Sequence, residues 1–184
     1  MPQLRMMKRL ESDMNREEST RRIILAYSNP MDELRIPKIS AEIVCHTTEQ
    51  ESINGKIFLD MISSSGPTLS QVLEFFNSHE LFFPFKLPHG ASILFHKRAI
   101  LRIDVPELFS EYESEVSSQL DVKRDAKIHF TNGILLDGRF IIDMPIDHAR
   151  SLDFLNSGRR FIPFLLDETL TLIHTDHVYK VEES

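Results

Sequence analysis

The sequence lacks several features on which functional assignment often depends. Among its 184 residues there is one cysteine, Cys45, and no tryptophan. A single cysteine excludes an intramolecular disulfide and any metal cage made of cysteines alone, and low cysteine usage is typical of a reducing compartment. We therefore expect a cytoplasmic protein.

Long hydrophobic runs are also missing. No apolar stretch is long enough to cross a bilayer, and Met6, Met7 and Leu10 are mixed with basic residues instead of forming the apolar core of a signal peptide. Hydrophobic residues nevertheless make up 41% of the chain, which is enough for packed cores. We expect a globular protein that is neither secreted nor inserted in a membrane.

Basic residues are outnumbered by acidic ones. The chain has 21 Lys and Arg against 28 Asp and Glu, which gives a formal net charge of −7 at pH 7. Binding to a phosphate backbone over a wide surface requires a broad basic face, and no segment of this chain supplies one. The composition therefore argues against nucleic acid as the partner.

Catalytic motifs are absent as well. The chain contains no glycine-rich phosphate loop, no G-x-S-x-G elbow and no H-E-x-x-H pair. His174, Asp176 and His177 have the chemistry of zinc ligands, but residues of a tight turn need not converge on one ion, and we interpret them as a solvated turn. Cys45 precedes His46 on a predicted strand, where no helix N-terminus lowers the pKa of the thiol. We predict no catalytic residue, no metal site and no cofactor.

A tandem repeat is the main feature that the sequence does contain. The segment LDFLNSGRRFIPF at 152–164 has a counterpart, LEFFNSHELFFPF, at 73–85. KIFLDM at 56–61 likewise matches RFIIDM at 139–144, so the carboxylates Asp60 and Asp143 recur at predicted strand ends. Each of these strands follows a turn-forming pair, Asn54-Gly55 or Asp137-Gly138, and such pairs favour tight hairpins. The repeat indicates an inherited structural unit.

Each repeat predicts about five short strands with one helix after the second. The first strands are expected at 41–45 and 126–130, which aligns Ala41 with Ala126. A helix is expected from about residue 68 to 77, and Asn77 and Asn156 are the residues that favour a left-handed C-cap. Each repeat is expected to end in a hairpin, with its turn at 96–99 or 174–177.

The predicted fold class is α+β and mostly β. It consists of two tandem small β-barrel-like repeats, each with one inserted short helix, because closure hides strand edges that so few strands would otherwise expose. The predicted domains are an N-terminal helical segment at 1–40, repeat 1 at 41–105, a linker helix at 106–124 and repeat 2 at 125–184. A flat pair of sheets that share one core is the alternative architecture.

Two resemblances follow from the order of these elements. In repeat 2 a strand, the Asp137-Gly138 turn, a second strand, the LDFLN segment, an F-x-P-F strand and a final hairpin follow one another. This order resembles an uncharacterised family of small bacterial domains of unknown function, which offers no catalytic motif to transfer. The turn and the final hairpin are also similar to Sm-like barrels, the ring-forming RNA chaperones, although those place their helix before the first strand and carry a basic loop that is missing here.

A further resemblance concerns cyclic dinucleotides. Arg21-Arg22 ahead of a β-rich region, followed by a Ser-Ser-Ser-Gly segment at 63–66, resembles the PilZ family. That family has Asp or Asn two residues before the Ser of a D-x-S-x-x-G motif. Here Met61 takes that place and Asp60 is one residue off, so the match is incomplete.

The pattern favours a non-catalytic interaction or scaffold protein, with protein partners or further copies of itself bound through an exposed strand edge or the N-terminal helix. The candidate partner contacts are the doublet Arg159-Arg160, which only the second repeat has, and the narrow N-terminal stripe of Leu4, Met7 and Leu10. The alternative is a ligand-binding regulator, for a cyclic dinucleotide as in PilZ domains or for RNA as in Sm-like proteins.

Overall fold

The computed structural model of the chain describes residues 37–61, 66–108, 122–144 and 150–183. Its contacts group Lys38–Ser184 as one compact unit. The predicted N-terminal helix with Leu4, Met7 and Leu10, the Arg21-Arg22 doublet and most of the predicted linker helix lie outside the described residues. No helix within the described ranges is long and apolar enough to cross a bilayer.

Strands dominate the described chain, as the alternating apolar pattern predicted. In the first half, 38–108, they are β1 (Lys38–Thr47), β2 (Ser52–Asp60), β3 (Phe82–Lys86), β4 (Ser92–His96) and β5 (Ile100–Asp104), with helix α1 (Leu69–Asn77) between β2 and β3. In the second half, 122–183, they are β6 (Val122–Phe130), β7 (Leu135–Ile142), β8 (Phe161–Leu166), β9 (Thr169–His174) and β10 (Val178–Glu183), with helix α2 (Ser151–Leu155) between β7 and β8.

All ten strands form one antiparallel sheet in the order β10-β6-β7-β8-β9-β5-β1-β2-β3-β4. The strands of the two halves therefore have the same relative order, β5-β1-β2-β3-β4 and β10-β6-β7-β8-β9. The halves meet where β5 pairs with β9, and we call this contact the joint. Within the described chain, β4 and β10 are the free edges, and they correspond to β9 and β5 respectively.

The two turn-forming pairs do not form turns. Gly55 lies inside β2 opposite Ile43, and Gly138 lies inside β7 opposite Ala126. The hairpin turns come earlier in the chain, where Gln50 and Gly133 have φ of 67° and 86°. The prediction of tight turns at the glycines is therefore wrong.

Close approach of a neighbouring strand explains why these strand positions are glycine. A Cβ atom on Gly138 would lie 2.4 Å from the Leu165 carbonyl oxygen and 2.5 Å from the Phe164 ring. A Cβ atom on Gly55 would meet the Lys86 carbonyl oxygen and the Phe85 ring at 2.5 Å. Glycine inside a strand is typical of such sites, because no other residue leaves room for the second backbone.

The register also corrects the alignment of the two halves. Since Gly55 corresponds to Gly138, their partners Ile43 and Ala126 correspond as well, two residues away from the pairing of Ala41 with Ala126 expected from sequence. By the same register, His46 corresponds to His129. A shift of two residues keeps every side chain on its own face of the sheet, so the apolar pattern cannot detect it.

The predicted hairpins are wrong too, and neither Asn77 nor Asn156 has the predicted left-handed conformation, although Asn156 is the C-cap residue of α2. β4 pairs with β3 and β5 pairs with β1 and β9, so each expected hairpin is instead one turn of 3₁₀ helix, Lys97–Ala99 or Thr175–His177, between strands that are not neighbours. Asn77 is the last residue of α1, and Ser78 follows it with φ of −63°. Asn156 has φ of −92°, outside the left-handed region.

Two hydrophobic clusters form the core, and each contains residues from both halves. The first cluster is built mainly from the first half but includes Phe161, Leu170 and Leu172 of β8 and β9. The second is built mainly from the second half but includes Leu101 of β5. β8 and β9 are buried on both faces. Because side chains alternate along a strand, those on one face belong to the first cluster and those on the other face belong to the second. The two halves are therefore interlocked through shared cores.

Candidate functional site

Arg159 and Arg160 are placed beside the joint, at the start of β8. Arg159 Nη1 donates to both carboxylate oxygens of Asp143, at 2.7 and 2.9 Å, so its charge is held by an internal partner. The side chain of Arg160 is exposed, while its backbone N–H donates to Asn77 Oδ1 at 2.8 Å. Of the doublet, Arg160 is thus the residue presented to solvent, and its role as a partner contact stays a prediction.

Asn77 at the end of α1 fastens the two halves together. Its Oδ1 accepts hydrogen bonds from the N–H groups of Arg160 and Phe161, at 2.8 and 3.0 Å. Its Nδ2 donates to the carbonyl oxygens of Phe161, at 2.8 Å, and Leu73, at 3.0 Å. The Phe76 and Phe161 rings pack beside it with centroids 5.3 Å apart. Asn77, which was predicted as a helix cap, therefore links the end of α1 in the first half to the start of β8 in the second.

A polar network around Asp104 crosses the joint on three strands. The Asp104 carboxylate accepts from Arg102 Nη1 at 2.6 Å and from Thr171 Oγ1 of β9 at 2.9 Å, and it lies 2.7 Å from His46 Nε2 of β1. Burial by itself raises the pKa of Asp104, but the hydrogen bond with His46 and the positive charge of Arg102 outweigh burial, so the pKa of this carboxyl is lowered. Asp104 therefore remains ionised at neutral pH and binds β9 to β5.

This network also contains a Ser-His-Asp arrangement that the sequence analysis did not detect. Ser52 Oγ lies 2.9 Å from His46 Nδ1, whose other ring nitrogen contacts Asp104. A serine nucleophile also requires oxyanion-hole donors and room for a substrate beside the hydroxyl. Ser52 is an exposed residue at the start of β2, directly opposite His46 in the ladder. The arrangement is that of cross-strand partners in a sheet.

The cysteine and histidine candidates are buried in structural positions. Cys45 is fully buried, and burial, reinforced by the nearby Asp104 charge, raises its pKa to about 12. His174 is 1% exposed, and its Nδ1 donates to the Ile100 carbonyl oxygen across the joint at 2.9 Å. Burial lowers the pKa of His174, so the ring is neutral at pH 7. The predicted solvated turn is thus wrong for His174, which packs inside the joint.

The outer face of β3 and β4 is an exposed apolar surface in the described part of the chain. Phe82 and Leu94 point outward with 55% and 74% of their surface exposed. Their counterparts in the second half are Phe161 and Leu172, the same residue types at the same ladder positions, and both are fully buried under the first half. We call the surface of Phe82, Pro84, Leu94 and His96 the bare face. It is a copy of the buried side of the joint that no described residue covers to the same extent.

The β10 edge likewise repeats the other side of the joint. Tyr179 is 62% exposed, whereas its counterpart Leu101 on β5 is 1% exposed inside the second cluster. The network of His46, Arg102 and Asp104 recurs as His129, Lys180 and Glu182. Lys180 Nζ donates to Glu182 Oε1 at 2.6 Å, and His129 Nε2 lies 3.4 Å from the same oxygen. Each side of the joint therefore has an exposed duplicate at one end of the sheet.

One cleft lies beside each of the two strand glycines. The larger, about 620 Å³, lies beside Gly55 and is lined by Glu42, Lys56 and Lys86 among others. The other, about 450 Å³, lies beside Gly138 and is lined by Asp125, Asp137 and Arg139. Lys56 is already held by Glu42 at 2.5 Å. No group of three metal-ligating side chains occurs in the described ranges.

A comparison of the chain with protein-family models, curated proteins and solved structures gives no match. The functional assignment therefore depends on the geometry of this molecule alone.

Proposed function

We propose that this chain is a non-catalytic, cytoplasmic protein-interaction scaffold that binds another polypeptide through the bare face and the adjoining β4 edge. The observation that carries this proposal is the contrast between Leu94, which is 74% exposed, and its buried counterpart Leu172. Exposed apolar patches next to a free strand edge are typical of protein-binding surfaces, because both side chains and backbone groups are available to a partner.

The composition of β4 supports this role. Free edges of natural sheets are usually protected from pairing by charged side chains, proline or a bulge. β4 has the sequence SILFH, without proline or a Lys, Arg, Asp or Glu, and its partner β3 adds the exposed Phe82 on the same face. An unprotected edge of this kind is explained by a partner that covers it.

The proposed scaffold has two tandem barrel-like units. In each half one 3₁₀ turn of three residues joins strands at opposite ends of the five-strand order, for example β4 and β5. Three residues span about 10 Å at most, so the strands must curl until their ends approach. Such curling places the bare face on the outside of its unit, where a partner has access to it.

Several side chains support a non-catalytic role. The Cys45 thiol, with a pKa of about 12, supplies almost no thiolate at neutral pH. His174 is buried and binds a backbone carbonyl, and Ser52 is a cross-strand partner of His46. Burial of Cys45 and the structural contacts of His174 and Ser52 therefore favour a non-catalytic role.

The test is photo-crosslinking in the native host. A benzophenone amino acid replaces Leu94 in one variant and Leu135 in the other; Leu135 is 52% exposed at the start of β7, two strands from the β10 edge and in the other half from the bare face. We expect a higher-mass adduct from position 94 and at least about tenfold less from position 135, and mass spectrometry then identifies the captured polypeptide. Equal yields at the two positions, or no adduct at position 94, would contradict the proposed function.

A further inference from the structure

We propose that the polypeptide bound to the bare face is a second copy of this chain, joined head to tail so that β4 of one copy pairs with β10 of the next as β9 pairs with β5 inside the chain. This inference rests on the proposed function of the bare face and identifies its partner. It follows from the correspondence of β4 with β9 and of β10 with β5 in the strand order.

The backbone register of the joint defines the proposed contact. Inside the chain, Ile103 lies opposite Leu172 and Asp104 lies opposite Thr171. Transferred to the free edges, Val181 of one copy lies opposite Leu94 of the next, and Glu182 lies opposite Ile93. The pairing continues the sheet from one copy into the other in the geometry that the chain already uses once.

The exposed apolar side chains fit this contact. Leu94, Phe82 and Tyr179 are all more than half exposed, and they occupy the positions of the buried joint residues Leu172, Phe161 and Leu101. Head-to-tail pairing would bury Leu94 and Phe82 against the second half of the next copy. It would also place Tyr179 of that copy against the apolar residues of β3 and β4. A single head-to-tail contact thus covers the most exposed apolar side chains at both edges.

Several polar residues of the joint have counterparts at the same places, although Thr171, which donates to Asp104, is replaced by Ile93. Asn156 stands at the end of α2 where Asn77 stands at the end of α1, and its side chain is exposed, with no hydrogen bond to the described residues. Asn156 of the copy that supplies β10 would face the backbone of Leu81 and Phe82 in the copy that supplies β4. Asn77 faces the backbone of Arg160 and Phe161 in the same way inside the chain. Lys180 and Glu182 likewise supply the charges that Arg102 and Asp104 supply at the joint.

The two surfaces differ, so the contact is heterologous. A heterologous contact leaves one β4 edge and one β10 edge free after each addition, and copies therefore add until a ring closes or a filament grows. Blocking either edge of a copy allows it to take part in only one contact. This property separates the proposal from a symmetric dimer made through β4 alone or β10 alone.

The experiment uses two edge variants of the full chain. Leu94→Asp blocks the β4 side and Tyr179→Asp blocks the β10 side, and both residues are exposed enough that the monomer keeps its fold. Sedimentation velocity is expected to show assemblies of the unmodified chain and at least about tenfold weaker self-association of each variant alone. An equal mixture of the two variants is expected to give a 1:1 heterodimer, because one complete contact remains. Leu135→Asp, with a similarly exposed leucine, should assemble like the unmodified chain.

Several outcomes would overturn the inference. They are a monomeric unmodified chain, assembly that survives Tyr179→Asp, and a mixture of the two variants that stays monomeric. If the chain is monomeric but the crosslinker at position 94 still captures a different protein, the head-to-tail inference fails and the proposed function stands. If position 94 captures nothing, the proposed function fails as well.

Discussion

Leu172→Asp is expected to destabilise the protein by at least about 4 kcal/mol, whereas Leu94→Asp at the corresponding position is expected to change the free energy of unfolding by less than about 0.5 kcal/mol. Leu172 is fully buried in the first cluster, so the substitution removes its packing and places a carboxylate among apolar side chains. Leu94 is 74% exposed, and an aspartate there stays in water. Native proteins are typically stable by about 5–15 kcal/mol, so the Leu172→Asp substitution is expected to remove much of the free energy of unfolding.

Urea unfolding at low protein concentration measures both values, since dilution removes any contribution from association. The pair of variants has a built-in control, because the residue type and ladder position are the same and only the cover differs. Similar destabilisation by both substitutions would contradict the account that the first half covers β9 while β4 is bare.

Gly138→Ala is the second substitution with a large expected effect, a decrease of about 3 kcal/mol in the free energy of unfolding. The new Cβ atom would lie 2.4 Å from the Leu165 carbonyl oxygen and 2.5 Å from a Phe164 ring atom, and Phe164 is itself fully buried. Neither the backbone of β8 nor a packed ring can move away without loss of other contacts. The strand pairing of β7 with β8 therefore has to shift.

Gly133→Ala is the matched control for this substitution. Gly133 has φ of 86° in the turn before β7, but nothing lies within 4 Å of its Cβ position. Its cost is the strain of a left-handed alanine alone, about 1 kcal/mol. Thermal unfolding of both variants gives the comparison, and a Gly133→Ala variant less stable than Gly138→Ala would contradict the account that strand crowding at Gly138 costs more than the backbone conformation at Gly133.

The strand content follows from the sequence because alternating apolar residues have few other structures available. The glycine pairs misled the sequence analysis, since Asn-Gly and Asp-Gly favour turns by local conformation alone. The competing requirement at Gly55 and Gly138 comes from β3 and β8, which are distant in sequence. Likewise, Asn77 has the local chemistry of a helix cap, and only tertiary structure brings the backbone of Phe161 within its reach.

The candidate site was beyond sequence reasoning for a related physical reason. Leu94 and Leu172 are the same residue type, and so are Phe82 and Phe161, so composition and periodicity treat each pair alike. Their different burial arises from the β5–β9 joint, a long-range pairing with no local signal. The repeat was nevertheless informative, because it identifies which residues to compare.

Disulfide trapping across the free edges tests the head-to-tail joint most directly. In the double variant Ile93→Cys, Glu182→Cys, the two thiols of adjoining copies would lie opposite one another, as Asp104 and Thr171 do at the joint, at a Cα separation of about 5 Å, which suits a disulfide. The native Cys45 is fully buried and does not compete. Mild oxidation is predicted to give disulfide-linked species that extend beyond the dimer. A yield no higher than that of Ile93→Cys, Leu135→Cys, or an equal yield from Ile93→Cys alone, would contradict the account.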